Sequence, residues 1–166
     1  GADLINDVSG FNYENQSLSR LKKYNVAKVL HHMQGTPNTM QKNPKYKNVL
    51  LDIYDFFEKG IKKIDNKKII LDPGIGFGKN LKHNLTLISK ISLFHSLGLP
   101  ILIGTSRKRF ISQISGNNDS KERIGGTIAS VLFLLSQGVQ IFRVHDVNEV
   151  KQSILVFEKI LSNLKN

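Results

Sequence analysis

Five short apolar runs alternate with amphipathic stretches, and this alternation predicts an α/β fold built on a parallel sheet. All five runs end in polar or special residues: Asn6-Asp7, His32-Met33-Gln34, Asp72-Pro73, Gly104-Thr105-Ser106 and Arg143-Val144-His145-Asp146. An open sheet concentrates functional groups at one switch point, whereas a barrel turns every strand end toward a shared mouth. Five decorated ends therefore predict a TIM-type (β/α)8 barrel, of which about five βα units are present. The chain also opens inside the first strand-like run without an initiator Met, so an origin within a longer protein is expected.

The elements follow in order. "ADLIND" (2–7) and "AKVLHHM" (27–33) are short, Val/Ile/Leu-rich and read as buried strands. Val49, Leu50, Ile53, Phe56, Phe57, Ile61 and Ile64 form an i, i+3, i+4, i+7 stripe and predict a helix. "KIILDPG" (68–74) is the third strand. A helix over about 82–97 is stopped by Gly98, with Pro100 beyond it. "PILIGTS" (100–106) is the fourth strand. Ile124, Ile128, Val131, Leu132 and Leu135 mark a helix that ends at Gly138. "VQIFRVHD" (139–146) is the fifth strand. Val150, Ile154, Phe157, Ile160, Leu161 and Leu164 give the last helix, with Asn148 as its N-cap.

The bulk numbers bound the function. A chain of 166 residues, 40% hydrophobic, suffices for one domain, 1–166. The absence of cysteine excludes disulfides and thiolate metal sites. No apolar run reaches membrane-spanning length and no leader peptide opens the chain, so a cytoplasmic protein is expected. The net charge of +11 comes mostly from 19 scattered lysines, as in "LKKYN" and "KKIDNKK". No aromatic-plus-basic stripe accompanies it, so nucleic acid is not an expected partner. Small residues at 125, 126, 129 and 130 allow close helix packing, within the chain or across a dimer.

"LDPGIGFGKN" (71–80) has the look of a phosphate loop, yet both standard templates fail. The third glycine of a dinucleotide fingerprint comes one position early, and a P-loop would need Gly at Pro73 and Ser or Thr at Asn80. Asp72 ends a strand and is held extended by Pro73; its carboxylate either accepts paired N–H donors from a flat heterocycle or caps its own turn. Ser106, Arg107 and Lys108 in "GTSRKRF" form an anion site or a solvated basic turn. Arg143 and His145, two apart on a strand, share a face and need either an oxyanion or an internal partner such as Asp146. His31 and His32 are adjacent and face opposite sides, which argues against a two-histidine metal site. The set describes a pocket for a planar, hydrogen-bonding heterocycle bearing phosphate, with Asn6 and Asp72, a basic anion site, and walls from Phe77 and Met33.

"INDVSG", "HMQGTPNTMQ", "LDPGIGFGKN", "GTSRKRFI" and "RVHDVNE", in this order and at natural spacing, closely resemble the dihydropteroate synthase family over essentially the whole chain. The resemblance implies a TIM-type barrel that condenses 6-hydroxymethyl-7,8-dihydropterin pyrophosphate with para-aminobenzoate, giving 7,8-dihydropteroate and pyrophosphate for folate biosynthesis. By this resemblance Asn6, Asp72 and Lys108 hydrogen-bond the pterin, Met33 and Phe77 line its slot, and Gly104 leaves room. Arg143 covers the pterin and, with His145, holds the pyrophosphate. Ser106, Arg107 and Lys108 receive the aminobenzoate. Asp72, Lys108, Arg143 and His145 form the catalytic set. The resemblance further implies Mg2+, a homodimer and a sulfonamide target. It places about three further strand–helix units ahead of Gly1, including the metal-meeting residue, so 1–166 alone is expected to be inactive. Two rival readings are a methyltetrahydrofolate-binding domain that serves a corrinoid methyltransferase, and a non-catalytic open-sheet binding module.

Overall fold

The computed structural model of the chain describes residues 1–12, 16–21, 23–64 and 68–164. Lys22, Lys67 and Lys165, part of the scattered basic charge, lie outside these. Five strands, β1 (Leu4–Asp7), β2 (Ala27–His31), β3 (Ile69–Asp72), β4 (Leu102–Ile103) and β5 (Ile141–Phe142), alternate with helices α1 (Ser17–Leu21), α2 (Val49–Lys63), α3 (Leu81–Ser89), α4 (Arg109–Ser115), α5 (Ile124–Ser136) and α6 (Val147–Asn163). β1, β2 and β3 pair in parallel, as do β4 and β5. A parallel bridge between Leu71 and Ile101, with Leu71 N–H donating to the Pro100 carbonyl at 2.8 Å, joins the two sets. The spatial order is thus the chain order, β1 to β5. A doubly wound open sheet reverses direction at a switch point, whereas this arc advances one strand at a time, as in a barrel.

Burial on both faces of the arc follows the two-residue period of a strand. Leu30, Ile69, Leu71, Ile101 and Ile103 face the helices and share one core with Val49, Leu50, Ile53 and Phe57 of α2 and with Phe94. Val29, Ile70 and Leu102 face the other way and form a second, smaller cluster with Ala27 and Ile141. A sheet buried on both sides reads as continuous apolar sequence, which is why "VL" of β2 and "IIL" of β3 lack polar alternation.

The helices match their predicted positions with instructive exceptions. α2 buries its predicted stripe, and its N-cap Asn48 accepts from the backbone N–H groups of Leu50 and Leu51. The expected 82–97 helix is broken at Lys90: α3 ends, and a 3₁₀ stretch, Ile91–Leu97, continues to Gly98, whose φ of 69° closes it. In α5 the buried face is Thr127, Ser130, Val131 and Leu134, rotated from the predicted stripe. The hydroxyls explain the rotation, because Ser130 donates to Thr105 Oγ1 at 2.9 Å inside the core. Gly126 lies against Ile111 of α4, where a Cβ would come within 2.3 Å of Ile111 Cγ2, so this small residue serves packing within the chain.

α6 departs furthest. It starts from Asp146 rather than Asn148, and only Val150 is buried, while Leu155, Ile160 and Leu164 of its apolar residues are exposed. Its packing partner is α5, and β5, over which it lies in sequence order, pairs with one strand only among the described residues. No helix among the described residues is long and apolar enough to cross a membrane.

These two environments predict opposite mutational costs. Phe57 is fully buried, so Phe57→Ala should lower the unfolding free energy by about 3–5 kcal/mol in urea titrations. Leu164, 77% exposed, should tolerate Leu164→Ser within about 0.5 kcal/mol.

Candidate active site

The site is an extension of the smaller core layer. Two residues beyond Val29, Ile70, Leu102 and Ile141 on the same strand face come His31, Asp72, Gly104 and Arg143. Arg143 lies just past β5, but its N–H still donates to the Ile103 carbonyl at 2.9 Å, so the ladder carries it into line. On β1, Ile5 packs toward the helices, which leaves Asn6 on the opposite face. These five residues, joined by Val8, Gly74, Ile75, Phe77, Ser106 and Lys108, enclose a cavity of about 360 Å³.

Asp72 sits at the floor, buried, with Oδ1 accepting from the Gly74 N–H at 2.8 Å. The turn needs Gly74: its φ is +68°, and a Cβ there would lie 2.0 Å from the His32 carbonyl oxygen. Gly76, at φ +82°, leaves passage for the Lys108 stem, 3.2 Å from where its Cβ would be. Lys108 enters from the N-terminus of α4, donates to the Ile75 carbonyl at 2.9 Å and stands 4.1 Å over the Phe77 ring. Burial pushes the Asp72 pKa up, against the pull of His31, the Gly74 N–H, Lys108 and Lys79. Burial brings Lys108 down to about 8, with Asp72 opposing the shift and Arg143 adding to it.

Behind the turn lies a second cation. Lys79 is 3% exposed; its ammonium donates to the Phe77 carbonyl at 2.9 Å and meets His32 Nδ1 at 3.0 Å. Burial lowers Lys79 to about 7 and His32 to about 3. His32 is therefore neutral at pH 7, with its Nδ1 held against the Lys79 amine.

The anion side is organised by two loops. Ser106 Oγ is 2.9 Å from His145 Nδ1 and accepts from the His145 N–H at 3.2 Å. Arg107, at φ +59°, forms a bidentate pair with Asp146, with its Nε 3.2 Å from Oδ2. The hydrogen bond and ion pair between these two raise the arginine pKa and lower that of the carboxyl. Asp146 is thereby taken, and Arg143 has no side-chain partner among the described residues.

Comparison with known proteins agrees with this geometry. The sequence profile of the family described as "Pterin binding enzyme" matches residues 1–145. The chain belongs to the pterin-binding enzyme family. It is 39% identical over 171 residues to a dihydropteroate synthase of Escherichia coli K12, covering 100% of this chain and 60% of that one. A Yersinia pestis dihydropteroate synthase solved as a sulfonamide drug complex superposes with a TM-score of 0.92 at 38% identity, over 98% of this chain and 61% of that one. The Thermus thermophilus enzyme in complex with 6HMPPP gives 0.91 at 36%, over 97% and 65%. The chain thus spans about 60% of the length of the curated synthase it matches, and its strands form part of a TIM-type barrel.

The cavity gathers Asn6, Asp72, Phe77, Gly104, Ser106, Lys108 and Arg143 of the residues singled out from sequence. Asp72 caps its own turn, as one of the two sequence readings has it, and it also faces the cavity. Three residues fall elsewhere. Met33 borders a neighbouring cavity with Asp7, Val8, Ser9, Thr36 and Pro37, because β2 ends at His31 and the strand alternation stops before it. Arg107 is turned to Asp146. His145 backs Ser106 and is exposed, as is Arg143, so neither lies on a buried strand face. Sequence reasoning missed His31 in the cavity wall and the burial of Lys79. The alternation of β2 points to the former, while the latter depends on the fold of the turn.

Lys79 makes a pH prediction. Its folded pKa lies below its ordinary value of 10.5, so between about 7 and 10.5 the unfolded chain holds a proton that the folded chain lacks. Stability contributed through this lysine therefore rises with pH across that window. In urea titrations from pH 7 to 10, Lys79→Met should reduce the slope of unfolding free energy against pH by up to about 1.4 kcal/mol per pH unit. An unchanged slope would mean that Lys79 stays charged in the fold.

Proposed function

We propose that this chain forms the pterin- and pyrophosphate-binding part of a dihydropteroate synthase. The reaction joins 6-hydroxymethyl-7,8-dihydropterin pyrophosphate to para-aminobenzoate and gives 7,8-dihydropteroate and pyrophosphate. The observation that carries this reading is the convergence on one cavity of a buried carboxylate, Asp72, a lysine, Lys108, and an arginine without a side-chain partner among the described residues, Arg143. A carboxylate accepts the paired N–H donors of a pterin edge, a lysine donates to its carbonyl or ring nitrogen, and an arginine takes a pyrophosphate oxygen.

In the proposed complex the pterin ring lies against Phe77 and over Gly104, with Asn6, Asp72 and Lys108 at its polar edge. Arg143 covers the exposed face and, with His145, holds the pyrophosphate. Ser106 then receives the aminobenzoate carboxylate beside Lys108, once ligand exchange frees its hydroxyl from His145. The C–O bond to pyrophosphate breaks, and its electrons leave on the departing oxygen. The positive charge on the methylene carbon is spread into the pterin, whose N–H groups face Asp72. The amine lone pair of aminobenzoate forms the new C–N bond, and the amine proton is released. Arg107, paired with Asp146, holds the loop and keeps Asp146 away from the pyrophosphate.

Magnesium does not fit the residues described. No cluster of three or more histidine, aspartate or glutamate side chains occurs among them, and the cavity carboxylate Asp72 is ringed by cations. The proposal assigns magnesium ligation to residues outside this chain and routes no step through it. It places the whole protein in the cytoplasm as a homodimer, and it takes 1–166 to be one pterin-binding domain that is inactive alone.

In the full-length protein, Asp72→Ala or Lys108→Ala should lower kcat/KM by about 10- to 150-fold for each charge-assisted hydrogen bond lost, at about 1.5–3 kcal/mol each. Near-normal turnover of either variant would overturn the pocket. Arg143→Ala should raise KM for the pterin pyrophosphate about tenfold or more while leaving KM for aminobenzoate within about twofold, as expected for one lost charge-assisted contact. Steady-state assays of pyrophosphate release decide both.

A further inference from the structure

His31 is the cavity residue to which the reading above gives no role. It ends β2, pairs in register with Asp72 of β3 and is 1% exposed. Neither Nδ1 nor Nε2 has a hydrogen-bond partner among the described residues, and both atoms are buried. The adjacent His32 differs, since its Nδ1 is satisfied by Lys79. Buried polar atoms are nearly always paired, because an unmet donor or acceptor carries its full desolvation penalty. An apolar side chain would fill the same space without that penalty.

The surroundings say where the missing partner comes from. The Phe77 ring meets the imidazole edge-on, with centroids 4.5 Å apart and planes at 87°, and so fixes its orientation. Nε2 lies beside the Gly74 turn, 3.0 Å from where a Cβ would stand. Gly74, Phe77 and Asp72 all border the cavity, as His31 does. Burial is the main influence lowering the His31 pKa; Lys79 and Lys108 act the same way, against Asp72 and Asp7. A neutral imidazole offers one N–H donor and one lone pair.

We propose that His31 is a substrate-contacting, specificity-determining residue, whose imidazole hydrogen-bonds a bound pterin between Asp72 and Phe77. The inference rests on the pterin reading of this cavity. It means that the pocket selects ring systems with a polar atom facing β2, since a ligand that presents carbon there leaves His31 unsatisfied.

The test uses the full-length protein, with 6-hydroxymethyl-7,8-dihydropterin pyrophosphate as the probe. Calorimetric titration of His31→Met should give a Kd about fivefold to tenfold above wild type, as for one lost hydrogen bond. His31→Gln, which keeps a donor and an acceptor, should recover part of that loss, and KM for aminobenzoate should stay within about twofold. In wild type labelled with 15N-histidine, pterin binding should shift a His31 ring-nitrogen resonance, a readout that survives even where a variant fails to fold. Wild-type affinity in His31→Met, an equal loss for both substrates, or unmoved ring nitrogens on binding would overturn the role of His31. Wild type that takes up no pterin at all would instead overturn the function on which the inference rests.

Discussion

The site is organised by the cost of burying one carboxylate. Asp72 lies at the end of a strand that is apolar on both faces, where water cannot solvate it. Such a charge persists only where donors and cations replace the lost water. The Gly74 N–H supplies one hydrogen bond, Lys108 brings positive charge from the front of the turn, and Lys79 adds charge from the back below its depressed pKa of about 7. Each of these depends on the glycine-rich segment: Gly74 curls the amide back onto the carboxylate, Gly76 admits Lys108, and Lys79 is held through Phe77 and His32. The loop that resembles a nucleotide cradle is better understood as the housing of a buried anion.

Strand geometry then determines what stands around that anion. The small core layer of Val29, Ile70, Leu102 and Ile141 supports, two residues further along, His31, Asp72, Gly104 and Arg143. A parallel arc delivers its strand ends to the same rim, so one alternation pattern builds the whole cavity. The β4 and β5 loops are tied to each other by Ser106 with His145 and Arg107 with Asp146, each spanning 39 residues of sequence. The Arg107–Asp146 pair is largely screened at the surface and adds little stability. Its consequence is geometric, because it occupies Asp146 and leaves Arg143 without a side-chain partner among the described residues.

The same geometry explains what the sequence could and could not reveal. Asn6, Asp72, Gly104 and Arg143 were legible because strand runs and their polar ends carry a two-residue period. Met33, which the family resemblance assigns to the pterin slot, borders the neighbouring cavity, two residues past the end of β2. The pairing of Arg107 was not legible, since Asp146 reaches it only through tertiary structure. The sequence assigns Lys79 no role, and only the folded turn buries it. In α5, Ser130 and Thr127 take core positions that a purely apolar stripe assigns to Ile128 and Leu132, because the Ser130 hydroxyl pairs with the Thr127 carbonyl and with Thr105. In α6 the predicted stripe exists, but Ile160 and Leu164 remain exposed.

A crystal structure of the full-length protein with 6-hydroxymethyl-7,8-dihydropterin pyrophosphate tests the central claim most directly. The account predicts the pterin against Phe77, with two ring-edge nitrogens at about 2.7–3.1 Å from the Asp72 carboxylate, ordinary N–H···O distances. A pterin seated instead in the neighbouring cavity of Met33, Thr36 and Pro37, with Asp72 bonded to Gly74 alone, would contradict it.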